Sequence, residues 1–242
     1  MNQPFSTAES LRFGWTKTRT NSGLVFKVVL LFAAIVLLQG IAKALISNQI
    51  LYAVATVVIS LVEVVLGVGA TVISLKLSRN EKTVLRDVIP PWHITVRCVL
   101  ASLISGIYTA LGALIPIGLG ALLVVYNPSP GIFGLVCVYL LVALGVFLGV
   151  NLILRYAMVK IAAVDGDISI FGSVRKSARL VRGVKWHLLW FLLIIILLNV
   201  AGAMLFFVGL LITAPVTLIA FAHVYLALSE HTDMQSGNTS GL

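Results

Sequence analysis

Residues 187–228, HLLWFLLIIILLNVAGAMLFFVGLLITAPVTLIAFAHVYLAL, decide the fold. No Lys, Arg, Asp or Glu interrupts them. A helix needs about 20 apolar residues to cross a hydrocarbon core, so the stretch is too long for one crossing and right for two joined by a very short turn. The turn falls near Val208 to Leu211, where Gly209 permits a tight reversal and Pro215 suits the first turn of the next helix. Read this way, the block is a helical hairpin in a membrane.

The same plan recurs toward the N-terminus. Leu24 to Ile46 is apolar apart from Lys27 and Lys43 near its ends, Ser47-Asn48-Gln49 makes a polar turn, and a second span runs from about Leu51 to Leu75. Cys98 to about Leu123 crosses, Tyr126 to Gly131 (YNPSPG) turns by composition, and Ile132 to about Arg155 returns. The expected fold class is therefore all-α, a polytopic membrane helical bundle of six transmembrane helices in three hairpins. Composition agrees. The chain is 60% hydrophobic and 10% charged with a mean hydropathy of +1.10, where a water-soluble domain would be about 25% charged.

Each hairpin follows a short amphipathic segment that reads as a cytoplasmic interfacial helix. Thr7 to Arg19 sets Leu11 and Trp15 on one face and leaves Arg12, Lys17 and Arg19 for the headgroup region. Val84 to Val88 is a shorter piece, stopped by Pro90 and Pro91. Asp165 to Lys185, DGDISIFGSVRKSARLVRGVK, holds five of the seventeen Lys and Arg residues. As a helix from about Ser169, it places Ile170, Val174, Ser177 and Val181 on one face and Arg175, Arg179 and Arg182 on another, the pattern of a helix lying in a membrane surface. Leu11 to Phe26 lies over Val174 to Leu189 without a gap, matching Arg12 to Arg175 and Arg19 to Arg182. The single membrane domain, 1–229, thus divides into candidate repeats 7–77, 78–163 and 168–229, the middle one fitting less well.

Charge sets the orientation. Fifteen of the seventeen Lys and Arg residues flank the spans on one side and the three opposite turns carry none, so the termini and large loops are expected in the cytoplasm. The net charge of +9 comes in short intervals between apolar runs, which points to anionic membrane lipid as the partner and not to nucleic acid. A cleavable signal is not expected, because the first 23 residues are long and polar and no small-residue cleavage site follows the first apolar run. The tail, 230–242, has almost no apolar content and is expected to be disordered; its Asn238-Thr239-Ser240 acceptor motif would go unused in the cytoplasm.

Glu63 falls near the middle of the second span, where an ionised carboxylate is costly, so it must face the bundle interior, find a partner or be protonated. A proton or cation relay is one consequence; a hydrogen bond to a neighbouring helix is the more common one. Asn151 and Asn199 are the other deep polar groups, and amides there most often join helices. Gly145 and Gly149 form a close-packing pair in the fourth span, and Gly67 with Gly69 is given the same role in the second. The candidate headgroup contacts are Arg12, Arg19, Arg175, Arg179, Arg182 and Lys185. The four histidines lack ligand spacing, Asp165 and Asp167 are ascribed to helix-start chemistry, and Cys98 and Cys137 are expected toward opposite sides of the bilayer, so neither a metal, a cofactor nor a disulfide is expected. Trp15, Trp92, Trp186 and Trp190 mark an interfacial belt.

The order Arg155-Tyr156, Asp165, Ser177, Leu180, Gly183, Trp186, Asn199, Gly202, Gly209, Leu210, Thr213, Pro215, Tyr225 and Leu228 resembles a broad bacterial family of six-span membrane proteins. That family is related to the membrane domain attached to some glycerophosphoryl diester phosphodiesterases. The resemblance is clearest over Asn151 to Leu228, weaker before it, and includes Ser74 to Lys82 (SLKLSRNEK). It implies six spans and no settled activity. The soluble phosphodiesterase domain is missing from this sequence, so none of its catalytic residues is carried over. The expected function is a non-enzymatic membrane protein that binds anionic lipid and scaffolds or influences the membrane or a partner. The alternative is a small-solute, ion or lipid transporter with Glu63 at its midplane; a lipid-acting enzyme is least supported, because no acid, base and nucleophile gather.

Overall fold

The computed structural model describes residues 5–127, 131–166, 168–205 and 209–237, without the side chains of 233 and 235–237. Residues 128–130 of the YNPSPG turn, 206–208 before the last helix, Asp167 and the Asn238-Thr239-Ser240 motif lie outside the described residues. The helices are α1 (Thr7–Thr20), α2 (Ser22–Leu45), α3 (Gln49–Ser78), α4 (Trp92–Tyr126), α5 (Ile132–Tyr156), α6 (Val159–Val164), α7 (Ile170–Leu180), α8 (Lys185–Met204) and α9 (Leu210–Gly237), with a 3-10 turn at Leu85–Val88. Six of these segments are long and apolar enough to cross a membrane, and the chain is a multi-pass integral membrane protein.

Local chemistry explains the boundaries. The carboxamide oxygen of Asn48 accepts hydrogen bonds from the amides of Ile50 and Leu51 and opens α3. Pro90 and Pro91 end the 3-10 turn and hand over to α4 at Trp92. Ser169 Oγ accepts from the amide of Gly172 and caps α7. Gly183 takes a φ of +90° in the reversal between α7 and α8, a shape that β-carbon sterics disfavour in other residues.

Apart from Lys43 in the last turn of α2, the lysines and arginines gather with the tryptophans at one end of the bundle, called here the base. α9 runs through it: 39% of its most apolar stretch is buried, against 6% in the first and third spans. Met158, Leu180, Leu188, Phe191, Tyr225 and Leu228 form the largest buried cluster, and α1 closes over α9 by burying Ser10 and Gly14, where any β-carbon on Gly14 would collide with the Val216 carbonyl. Ser78 Oγ lies 3.4 Å from the Ile219 carbonyl oxygen and sets the register of α3 against α9. From that contact α9 extends only about 13 Å to Leu210, whereas α3 extends about 43 Å to Gln49, at about 1.5 Å per residue. The α8–α9 hairpin therefore stops well short of the outer end of α3. Beyond it the α2–α3 and α4–α5 hairpins continue without that support.

Three expectations change. The 230–242 segment is not disordered from its start, since α9 continues through Gly237; Leu228 is buried at the base and the helix simply runs on past its last packed turn. The amphipathic helices have the expected faces, but those faces meet protein: α7 buries Ser173, Val174, Ser177 and Leu180, while Arg175, Arg179 and Arg182 stay exposed. Amphipathic periodicity records an apolar neighbour, and a protein core satisfies it as well as lipid does. The middle unit keeps its expected short piece before Pro90 and Pro91, as the four-residue 3-10 turn Leu85–Val88. In addition, Pro215 sits in the second turn of α9, not the first.

Candidate functional site

A cavity of about 1460 Å³ opens between α2, α3, α4 and the first turns of α9, above the packed base. Its wall is almost wholly apolar. Glu63, at the midpoint of α3, is on that wall and accepts a 2.8 Å hydrogen bond from Gln39 Nε2 of α2. Ile46 and Asn48 are extended, which carries the chain outward before α3 begins and slides α3 against α2 until residues 39 and 63 meet. Lys160, Ser60, Thr71, Ser102 and Cys98 are the other polar side chains lining it. Gly67 and Gly106 face the open space: a β-carbon on either would meet nothing within 4 Å.

The two expected glycine pairs thus behave differently. In α5, a β-carbon on Gly145 would come 2.7 Å from the Ala113 carbonyl oxygen and one on Gly149 3.1 Å from Ala113 Cβ, so α4 and α5 close on each other there. Gly69 packs against the Val88 backbone of the 3-10 turn, but its companion Gly67 packs against nothing and lines the cavity.

At the base, Arg12, Arg19, Arg175, Arg179 and Arg182 are exposed. Lys185 differs: its Nζ donates to Asn151 Oδ1 at 3.1 Å, which brings two of the expected site residues together and ties α8 to α5. Asn199 joins α8 to α9, donating to the Ile195 carbonyl and to Thr217 Oγ1 at 3.2 Å. Trp15, Trp92, Trp186 and Trp190 are exposed around the same end. Cys98 and Cys137 are free thiols.

Asp165 is the base's electrostatic centre, and helix-start chemistry does not account for it. Its carboxylate, 6% exposed, receives Arg79, Lys176 at 2.9 Å and the Tyr225 hydroxyl at 2.6 Å, from α3's C-terminal cap, α7 and α9. Burial pushes this carboxyl up; hydrogen bonds from Tyr225 and Lys176 and the charges of Lys176 and Arg79 together outweigh it and hold Asp165 below the ordinary aspartate value. Lys76 and Asp87 make a second ion pair at 2.8 Å. The carboxylates of Asp165 and Asp87 are thus already engaged.

Sequence reasoning missed Gln39, Arg79 and Lys160. Gln39 was detectable as a lone amide inside an apolar run. Arg79 and Lys160 carried no local signal, since their neighbours come from distant parts of the chain. Three separate contacts involve Asp165 with Tyr225; Ser177, whose Oγ donates to the Arg155 carbonyl at 2.9 Å; and Gly202 with Gly209, which touch backbone to backbone. Among the described residues no group of three His, Cys, Asp or Glu side chains could hold a metal ion. In comparisons with protein-family models, curated proteins and solved structures, nothing matches this chain.

Proposed function

We propose that this is a non-catalytic protein of a bacterial inner membrane, with its base in the cytoplasm, where it binds anionic lipid and scaffolds or influences the membrane or a partner. One observation carries this: Arg12, Arg19, Arg175, Arg179 and Arg182 are exposed at the tryptophan-ringed end without an acidic partner among the described residues, while the base's ion pairs lie elsewhere. Each such charge is worth about 1 kcal/mol near an anionic surface. The lopsided distribution of Lys and Arg supports the orientation. Asp165 supports the non-catalytic role, since its carboxylate is committed to two cations and a tyrosine. The kinship with the membrane domain of glycerophosphoryl diester phosphodiesterases is proposed on the quoted residues alone.

The test uses the full chain in nanodiscs of mixed neutral and anionic lipid, with the lipids that co-purify counted after extraction. Changing Arg175, Arg179 and Arg182 to Gln should remove most of the anionic enrichment. Equal enrichment in parent and variant would refute lipid selection by these arginines.

A second function is favoured by the position of Glu63 on the cavity wall: carriage of a small solute, ion or lipid past the midplane. A pH-dependent flux in proteoliposomes, present in the parent and lost in Glu63→Gln, is the expected sign. Absence of flux in the parent for protons, alkali cations and labelled lipid would count against it.

A further inference from the structure

We propose that the cavity beside Glu63 binds a lipophilic cation, an apolar body bearing a protonated amine, a quaternary ammonium or a phosphonium, with the cationic centre on the Glu63 carboxylate. This rests on the second function above and names its ligand class. Size and lining set the body: about 1460 Å³ exceeds the roughly 300–1,000 Å³ of ordinary small-molecule sites, and the wall is nearly all hydrocarbon. Charge sets the head. Glu63 is about 20 Å along α3 from either helix end, where bulk water cannot easily solvate a charge, and its one hydrogen-bond partner among the described residues, Gln39, supplies a dipole and no charge. A cation beside a carboxylate in such a medium is held far more strongly than in water. An acyl chain would fill the same volume but leave the carboxylate as it is. The wall's one cation among the described residues, Lys160, belongs to the short α6 at the base and is itself exposed, so water competes for it.

The wall also has room to spare where the fold does not need it. Gly67 and Gly106 lie within helices, where glycine costs about 1 kcal/mol against alanine, yet neither lets another segment approach. Both widen the cavity.

Equilibrium binding of tetraphenylphosphonium to the full chain in neutral-lipid nanodiscs tests this, with tetraphenylborate as a probe of the same shape and opposite charge. No gradient is applied, so a protein that binds without carrying would pass here and fail the flux assay. The parent should bind the phosphonium saturably and the borate without saturation. Glu63→Gln should weaken phosphonium binding at least roughly thirtyfold, the lower end of the usual scale for losing one member of a buried charge pair. Gly67→Leu, which crowds the cavity one helical turn from Glu63 and leaves the charge, should weaken it too and carries the test if Glu63→Gln does not fold. Phosphonium affinity unchanged in a folded Glu63→Gln, or in Gly67→Leu if Glu63→Gln does not fold, or saturable borate binding lost in Lys160→Gln, would overturn the proposal.

Discussion

Leu77 and Leu61 belong to the same helix, about 24 Å apart, and meet opposite surroundings. At the base Ile73, Leu75 and Leu77 of α3 are 5%, 3% and 3% exposed; farther out Val57, Val58 and Leu61 are 61%, 56% and 62% exposed. The difference follows from the solvent. Near water, apolar side chains gain by leaving it, at about 1.5–3 kcal/mol for a large one, and α6, α9 and the 3-10 turn pack on α3 there. In hydrocarbon that gain vanishes, and helices join where small residues let backbones approach, as at Gly145 and Gly149. The outer α2–α3 hairpin has no comparable seam with α4, and a cavity persists between them.

The largest effect should fall on the base. Asp165→Asn leaves Arg79 and Lys176 without their shared carboxylate and should cost about 3 kcal/mol, read as a lowered unfolding midpoint in mild detergent. The pH dependence has a definite sign. Because the folded carboxyl lies below its unfolded value of about 3.9, the stability it contributes is present above that value and is lost as pH falls through the folded one. Parent protein should weaken below about pH 4, and Asp165→Asn should flatten that acid limb. A steep acid limb retained in the variant would move the titrating group elsewhere.

Next in size is the outer seam. Gly145→Leu pushes a branched side chain into the Ala113 carbonyl and should cost about 1–3 kcal/mol, visible as weakened protection of α4 and α5 against proteolysis or exchange. The base should stay intact, and loss of both regions together would mean that they unfold as one unit.

The smallest effects belong to the cavity. Glu63→Ala removes the partner of Gln39 and should cost about 1 kcal/mol, while Glu63→Gln should be close to neutral. Gly67→Ala should be neutral or stabilising by up to about 1 kcal/mol, because its β-carbon enters open space. A large loss in Gly67→Ala would mean that the space is closed in solution.

Much of this was legible in the sequence, though only at certain scales. Run lengths and polar breaks locate the long helices, because bilayer thickness imposes a length that composition alone reveals. The periodicity of Ile170 to Val181 gives the buried face of α7 but not its neighbour, since a core and a lipid surface present the same apolarity. Glu63 stood out by type. Gln39 could be picked out as a lone amide but not as its partner, because the offset of α2 against α3 depends on the extended Ile46 and Asn48. Asp165 looked like a helix start because its three partners are 86, 60 and 11 residues away and leave no local pattern.

The most direct test compares nitroxides at four single cysteines, in a chain lacking Cys98 and Cys137, by their collision rates with oxygen in the bilayer. Val57 supplies the lipid-facing reference and Leu77 the packed one, both on α3. Labels replacing Gly67 and Gly106 should be mobile and should collide with oxygen at rates near that of Val57. Immobilised spectra and collision rates matching Leu77 at both glycines would mean that the helices close there, and that no cavity stands beside Glu63.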